Sequence, residues 1–181
     1  MTTKRWSRAA ARGGAVAVLT AAGLGAVPQA HAAQAQVTDI TCLGSTTENY
    51  NPALTNTTQV VSASFTENYS CTSLTTSVSS GNTSSARVGT QNCLLSSTPS
   101  GVEIVTYVWN NQSASTVTFD DVNVIRAVNG TATITSTGSV VSGLGVGSSA
   151  VRVIVIPQLS LTACATTGVS SATGTATLSI L

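Results

Sequence analysis

Few residues in this chain have the type and spacing to do chemistry. Two glutamates sit in a repeated tetrapeptide, Thr47-Glu48-Asn49-Tyr50 and Thr66-Glu67-Asn68-Tyr69. Paired carboxylates facing one cleft are what acid/base hydrolysis of glycosides uses. Nothing in the sequence directs Glu48 and Glu67 to one cleft, and the expectation is a pair of solvated strand ends. A second candidate is Asp120-Asp121, which interrupts an otherwise well-alternating apolar run. A hard cation would need further oxygen ligands converging there, and no such spacing is present. The expectation is therefore a β-bulge or a change of sheet at this point, which keeps an unpaired carboxylate out of the core.

What is missing excludes more than what is present implies. The only histidine is His31 and the only lysine is Lys4, both near the start of the chain. Ser-His-Asp, Cys-His and Ser-Lys nucleophiles, Schiff-base chemistry and most transition-metal sites are thereby removed from the rest. Gly143-Leu144-Gly145-Val146-Gly147 resembles a phosphate loop in composition, but a strand follows it where an anion site needs a helix N-terminus. It reads as a hairpin connection. No catalytic residue, cofactor or metal is expected, and the protein is read as non-enzymatic.

Residues 1–32 read as a secretory signal peptide. Lys4, Arg5, Arg8 and Arg12 precede an apolar stretch from Gly13 to Val27, and Ala30-His31-Ala32 supplies a small-x-small cleavage pattern. The mature chain is expected to begin at Ala33, leaving residues 33–181 as one secreted domain with no membrane segment. Beyond residue 32 only Arg87, Arg126 and Arg152 stand against six acidic residues, a net charge of −3. No basic footprint for nucleic acid remains.

Cys42, Cys71, Cys93 and Cys164 form an even set in an exported chain, so two disulfides are expected. A zinc site would need CxxC pairs or histidines, and neither occurs here. Cys71 and Cys164 are each followed by a similar stretch, Thr75-Thr76-Ser77-Val78-Ser79-Ser80 and Thr166-Thr167-Gly168-Val169-Ser170-Ser171. Equivalent loops lying side by side would pair Cys71 with Cys164 and leave Cys42 for Cys93.

Serine and threonine make up about a third of the mature chain, and apolar residues alternate repeatedly, as in Val61, Ala63, Phe65 and Ala176, Leu178, Ile180. Strands are expected at 37–43, 58–66, 84–95, 101–109, 115–128, 131–141, 149–156 and 173–181. Short extra strands are expected at 45–50 and 159–164. Val151 to Ile156 ends sharply at Pro157 and suits a central strand, and the last strand is expected to be built into a sheet. Asn129-Gly130 is the signature of a two-residue type I′ hairpin, which places Val128 opposite Thr131 and puts Ile125 and Ala127 on the face of Ile134. Around Asn110-Asn111, pairing Trp109 with Ala114 turns Val102, Ile104 and Val108 inward and Tyr107 and Trp109 outward. That register also sets Glu103 against Asp120, an unfavourable like-charge pair.

The early Cys42, the Tyr50-Asn51-Pro52-Ala53-Leu54-Thr55-Asn56-Thr57 run, the Trp109-Asn110-Asn111 turn, Ser142-Gly143-Leu144 and the Cys164 segment resemble small secreted actinobacterial proteins of unassigned function. The resemblance implies a disulfide-bonded sandwich and carries no catalytic residue over. The actinomycete chromoprotein apoproteins also hold two disulfides on an immunoglobulin-like fold, with a short-loop cysteine spacing that this chain lacks. The expected fold is an all-β, immunoglobulin-like, antiparallel two-sheet sandwich of about eight strands. The expected function is a secreted recognition or structural module that docks an extracellular protein or glycan, with Tyr107 and Trp109 as the contact. The alternative is an inhibitor or toxin-associated subunit directed at another cell's protein. Nothing in the sequence sets the oligomeric state.

Overall fold

The computed structural model describes residues 39–93 and 102–181. The expected signal peptide (1–32) and mature start at Ala33 lie outside the described residues. Alternating Thr/Val/Ser sequence forms eight long strands: β1 (Ile40–Leu54), β2 (Gln59–Ser73), β3 (Ser80–Gln91), β4 (Glu103–Trp109), β5 (Ala114–Arg126), β6 (Ala132–Gly143), β7 (Ser149–Ile156) and β8 (Val169–Ile180). A single helical turn, α1 (Leu161–Ala165), sits between β7 and β8.

The expected two-sheet, immunoglobulin-like sandwich is not what forms. The strands follow chain order around one closed antiparallel barrel. Closure is made by β8, which pairs with β1 from Ile40↔Ile180 to Asn49↔Ser171 and again, past a bulge, at Leu54↔Val169. The 45–50 stretch is the physical reason. Expected as a separate short strand, it continues β1, which becomes long enough to pair fully with β2 on one side and β8 on the other. A sandwich would leave edges unpaired, and the closed barrel satisfies them. The 159–164 stretch is also not a strand, because Ser160 caps a helical turn by accepting from the Ala163 amide at 3.2 Å. As expected, β7 is paired on both sides and β8 runs to the C-terminal edge of the sheet.

Both hairpin registers differ from expectation by one residue, for a shared reason. After β5, the Ala127 amide donates to Thr131 O and Arg126 pairs with Ala132, so the loop is Val128-Asn129-Gly130 with Gly130 at φ 81°. After β4, the Trp109 amide donates to Ser113 O and Val108 pairs with Ala114, with Gln112 at φ 65°. Each is a three-residue loop closed by a left-handed residue, in place of the two-residue turn expected at Asn129-Gly130 and the four-residue turn expected at 110–113. A slip of one flips every side chain. Val105, Tyr107 and Trp109 therefore turn inward, while Val102, Ile104, Val108 and Ile125 are exposed. Glu103 now faces Phe119, not Asp120. The expected bulge is present: Phe119 pairs with Gly138 and Asp121 with Thr137, leaving Asp120 as the inserted residue, exposed.

All four cysteines are oxidised, but the expected pairing is replaced. Cys42 bonds to Cys71, its direct neighbour across β1 and β2, and Cys93 bonds to Cys164, tying α1 beneath the end of β3. The echoed loops after Cys71 and Cys164 lie at opposite ends of the barrel. The first precedes β3 near the β4–β5 turn, where Asn110 Oδ1 accepts from the Ser79 amide at 2.8 Å. The second joins the other end, where the Asn56 amide donates to Cys164 O.

One joint in the wall is weak. Among the described residues β3 pairs with β4 only at Gly81↔Trp109 and Asn82↔Val108, whereas it pairs with β2 along its whole length. At the fork the Thr83 hydroxyl donates to Thr106 O at 2.8 Å. Two strands further round the wall, Gly138 lies so close to β5 that a Cβ there would stand 1.9 Å from Thr118 O. Gly138→Ala should therefore lower stability by about 2 kcal/mol, read as the shift in urea midpoint at constant m-value, because backbone must move to admit the methyl.

Candidate functional site

The side chains with chemistry in them point into the barrel. Strand period puts Glu48 and Tyr50 of β1, and Glu67 and Tyr69 of β2, on the inner face, two residues apart in each case. Tyr50 donates to Glu48 Oε2 and Tyr69 to Glu67 Oε2, each at 2.8 Å. The repeated tetrapeptide is thus one structural unit used twice, a carboxylate held by the tyrosine two residues further along its own strand. The expected solvated strand ends are corrected, since Glu48 and Glu67 are buried in mid-strand.

Arg152 of β7 crosses the lumen to meet them. Its Nη1 donates to Glu67 Oε1 at 3.4 Å, and its Nη2 donates to Glu103 Oε2 of β4 and to Ser136 Oγ of β6 at 3.3 Å. The guanidinium lies 4.6 Å from the Phe119 ring centre and 5.9 Å from that of Phe65. Arg87 of β3 stands over Phe65 at 5.9 Å and pairs with Glu48 at 3.6 Å. Arginine suits these places because its planar cation stacks on rings and binds carboxylates together. Above this belt Tyr107 packs edge-on to Tyr69 and stacks on Trp109 at 5.8 Å, and the Trp109 indole donates to Ser115 Oγ at 2.9 Å.

Burial sets the protonation of these groups. It raises the Glu67 carboxyl above its ordinary 4.5, outweighing the attraction of Arg152 and the Tyr69 hydrogen bond. It also raises Tyr69 and Tyr107, with Glu67 adding to the effect for each, so neither hydroxyl is an acid of use near neutrality. Burial works against the Arg152 charge, but Tyr107, Glu67 and Glu103 around it hold its pKa raised. The cluster can hold charge across the lumen, and each of its three carboxylates already faces an arginine. Among the described residues no three His, Cys, Asp or Glu side chains gather as a metal site, and Asp120 and Asp121 are exposed at their bulge.

Tyr107 and Trp109, expected outward as a partner contact, are 0% and 2% exposed, so that contact is withdrawn. Sequence reasoning missed Arg152, Arg87, Glu103 and both Glu-x-Tyr units. The signals were the tetrapeptide repeat itself and an arginine alternating in phase with Ile154 and Ile156.

Comparison with protein-family models, with curated proteins and with solved structures found no match.

Two outcomes follow from this geometry. Trp109→Ala should cost about 3–5 kcal/mol in denaturant unfolding, the cost of an emptied core site, whereas a surface contact would leave stability nearly unchanged. In a carboxyl ¹³C titration Glu67 should have its midpoint above 4.5. With the folded pKa raised, the native state binds more protons than the unfolded one, so Glu67 erodes stability as pH rises from 4.5 through its folded value. The Tm of Glu67→Gln relative to that of the natural chain should accordingly fall as pH falls through that window.

Proposed function

We propose that this is an exported, non-enzymatic module whose outer wall docks an extracellular protein. One observation carries the proposal: the chemistry-bearing side chains are turned inward and paired, while the outer face of β6–β7–β8–β1 is an unbroken, uncharged lattice. Its rows run Thr133–Val155–Thr175–Ser45, Thr135–Val153–Thr177–Leu43 and Thr137–Val151–Ser179–Thr41, in continuous register. Interface centres are depleted in charge, as this lattice is. All aromatic residues from Tyr50 onward are buried, so no ring is offered for stacking on a sugar, and a protein partner is favoured over a glycan. The hydroxyl-rich outer rows and the lack of exposed aromatic girdles among the described residues also favour a wall that faces water over one that faces lipid. The two disulfides accord with an exported protein.

The test uses the mature chain as bait in the producer's culture medium, beside the double variant Thr135→Lys, Val153→Glu. A protein retained by the natural chain and lost from the variant at unchanged Tm is the expected result. A partner that ignores these substitutions, or that free oligosaccharide displaces, would sink the proposal.

A further inference from the structure

We infer that the inner face of β3 carries a notch that binds the carboxylate of a small monocarboxylic acid with a short aliphatic tail. This site is independent of the outer wall. Three successive inward positions of β3 are Arg87, Gly89 and Gln91, set across from Ala63, Val61 and Gln59 of β2. The pattern is a long polar side chain, no side chain, and another long polar side chain.

The middle position is open. A Cβ built on Gly89 would meet no atom within 4 Å, whereas at Gly44, Gly81 and Gly138 it would strike neighbours at 2.0, 2.4 and 1.9 Å. Those three glycines make room for backbone or a ring. Gly89 makes room for something absent from the chain's own packing, and an interior strand glycine of this kind marks a place of close approach.

The walls of the notch point to an acceptor. Gln91 is 1% exposed, and its Nε2 has no hydrogen-bond partner. Arg87 Nε is buried and equally without one. Buried donors are rarely left so, and each such case calls for an explanation. Both are N–H donors flanking the open position, and one belongs to a cation whose carboxylate partner, Glu48, stands off at 3.6 Å. A carboxylate seated between them would satisfy both, with a charge-assisted bond on the arginine side. Val61, directly across the ladder from Gly89, puts an aliphatic side chain beside the open position.

Entry and size fit as well. Among the described residues the ladder between β3 and β4 stops at Asn82, so no main-chain pair with β4 is seen along the stretch of β3 bearing the notch. The Arg87 side chain keeps 25% exposure. An eight-stranded barrel has room for one small ligand at most. Glu48, Glu67 and Glu103 already outnumber Arg87 and Arg152 inside, which disfavours a ligand with two negative charges.

Hexanoate is the probe, titrated into the isotope-labelled mature chain, with the Arg87 Nε–H and Gln91 side-chain NH₂ resonances followed by NMR. Both should shift together and saturate, and hexanamide, with the same tail and no charge, should bind at least about ten-fold more weakly. Gly89→Leu fills the notch and should abolish the saturable shifts. If that variant does not fold, Gly89→Ala should weaken binding by about ten-fold at unchanged cooperativity of unfolding. Shifts that stay linear to the solubility limit, equal binding of hexanamide, or natural affinity in the Gly89 variants would each overturn the site.

Discussion

A guanidinium sealed in the middle of a protein dictates what surrounds it. Arg152 is 3% exposed, and a buried cation without partners would cost several kcal/mol. It therefore needs Glu67 from β2 and Glu103 from β4, which stand on other parts of the wall, and it needs rings above and below. Those partners can meet only if β2, β4 and β7 surround one space. A two-layer sandwich puts its inner faces about 10 Å apart and fills the gap with interdigitated apolar chains. A barrel encloses a central lumen that a belt of long polar residues can span. The ionic belt and the closed fold are thus one constraint seen twice.

The belt also offsets a weakness in the wall. β4 is attached to β5 over most of its length but to β3 at only two pairs. Glu103, at the poorly paired end of β4, is anchored instead across the lumen to Arg152. Whether buried ion pairs add net stability depends on context, but removing one partner strands the others, so Glu103 and Arg152 hold each other in place. Phe65 and Phe119 restrict the guanidinium further, which makes the strut rigid.

Much of this is legible in the residues, and the failures are local in origin. Alternation marks nearly every strand, Asp120 announces its own bulge because Asp121 would otherwise follow Phe119 inward, and an even set of four cysteines behind an expected signal peptide implies oxidation. Face assignment fails at two turns. Asn129-Gly130 serves a two-residue and a three-residue loop equally well, and only tertiary pairing chooses between them. Gln112 adopts a left-handed conformation that a glycine would have advertised. Closure itself leaves no local mark, because sandwich and barrel strands share the same period of two. The candidate site was hidden by the usual expectation that polar residues face water. Glu48, Glu67 and Arg152 follow the period faithfully but on the inner side, and their phase relative to Tyr50, Tyr69 and Ile154 was the available clue.

Placing the cations inside has an effect on how the molecule meets other proteins' chemistry. Residues 39–181 contain no lysine, and of their three arginines Arg152 is enclosed by the wall. A trypsin-type protease recognises a basic side chain in an accessible, extended stretch of backbone. The Arg152 side chain emerges only if the barrel itself opens, so cleavage after it is governed by the folding equilibrium. The same ion pairs that hold Arg152 across the lumen withhold it as a cleavage site.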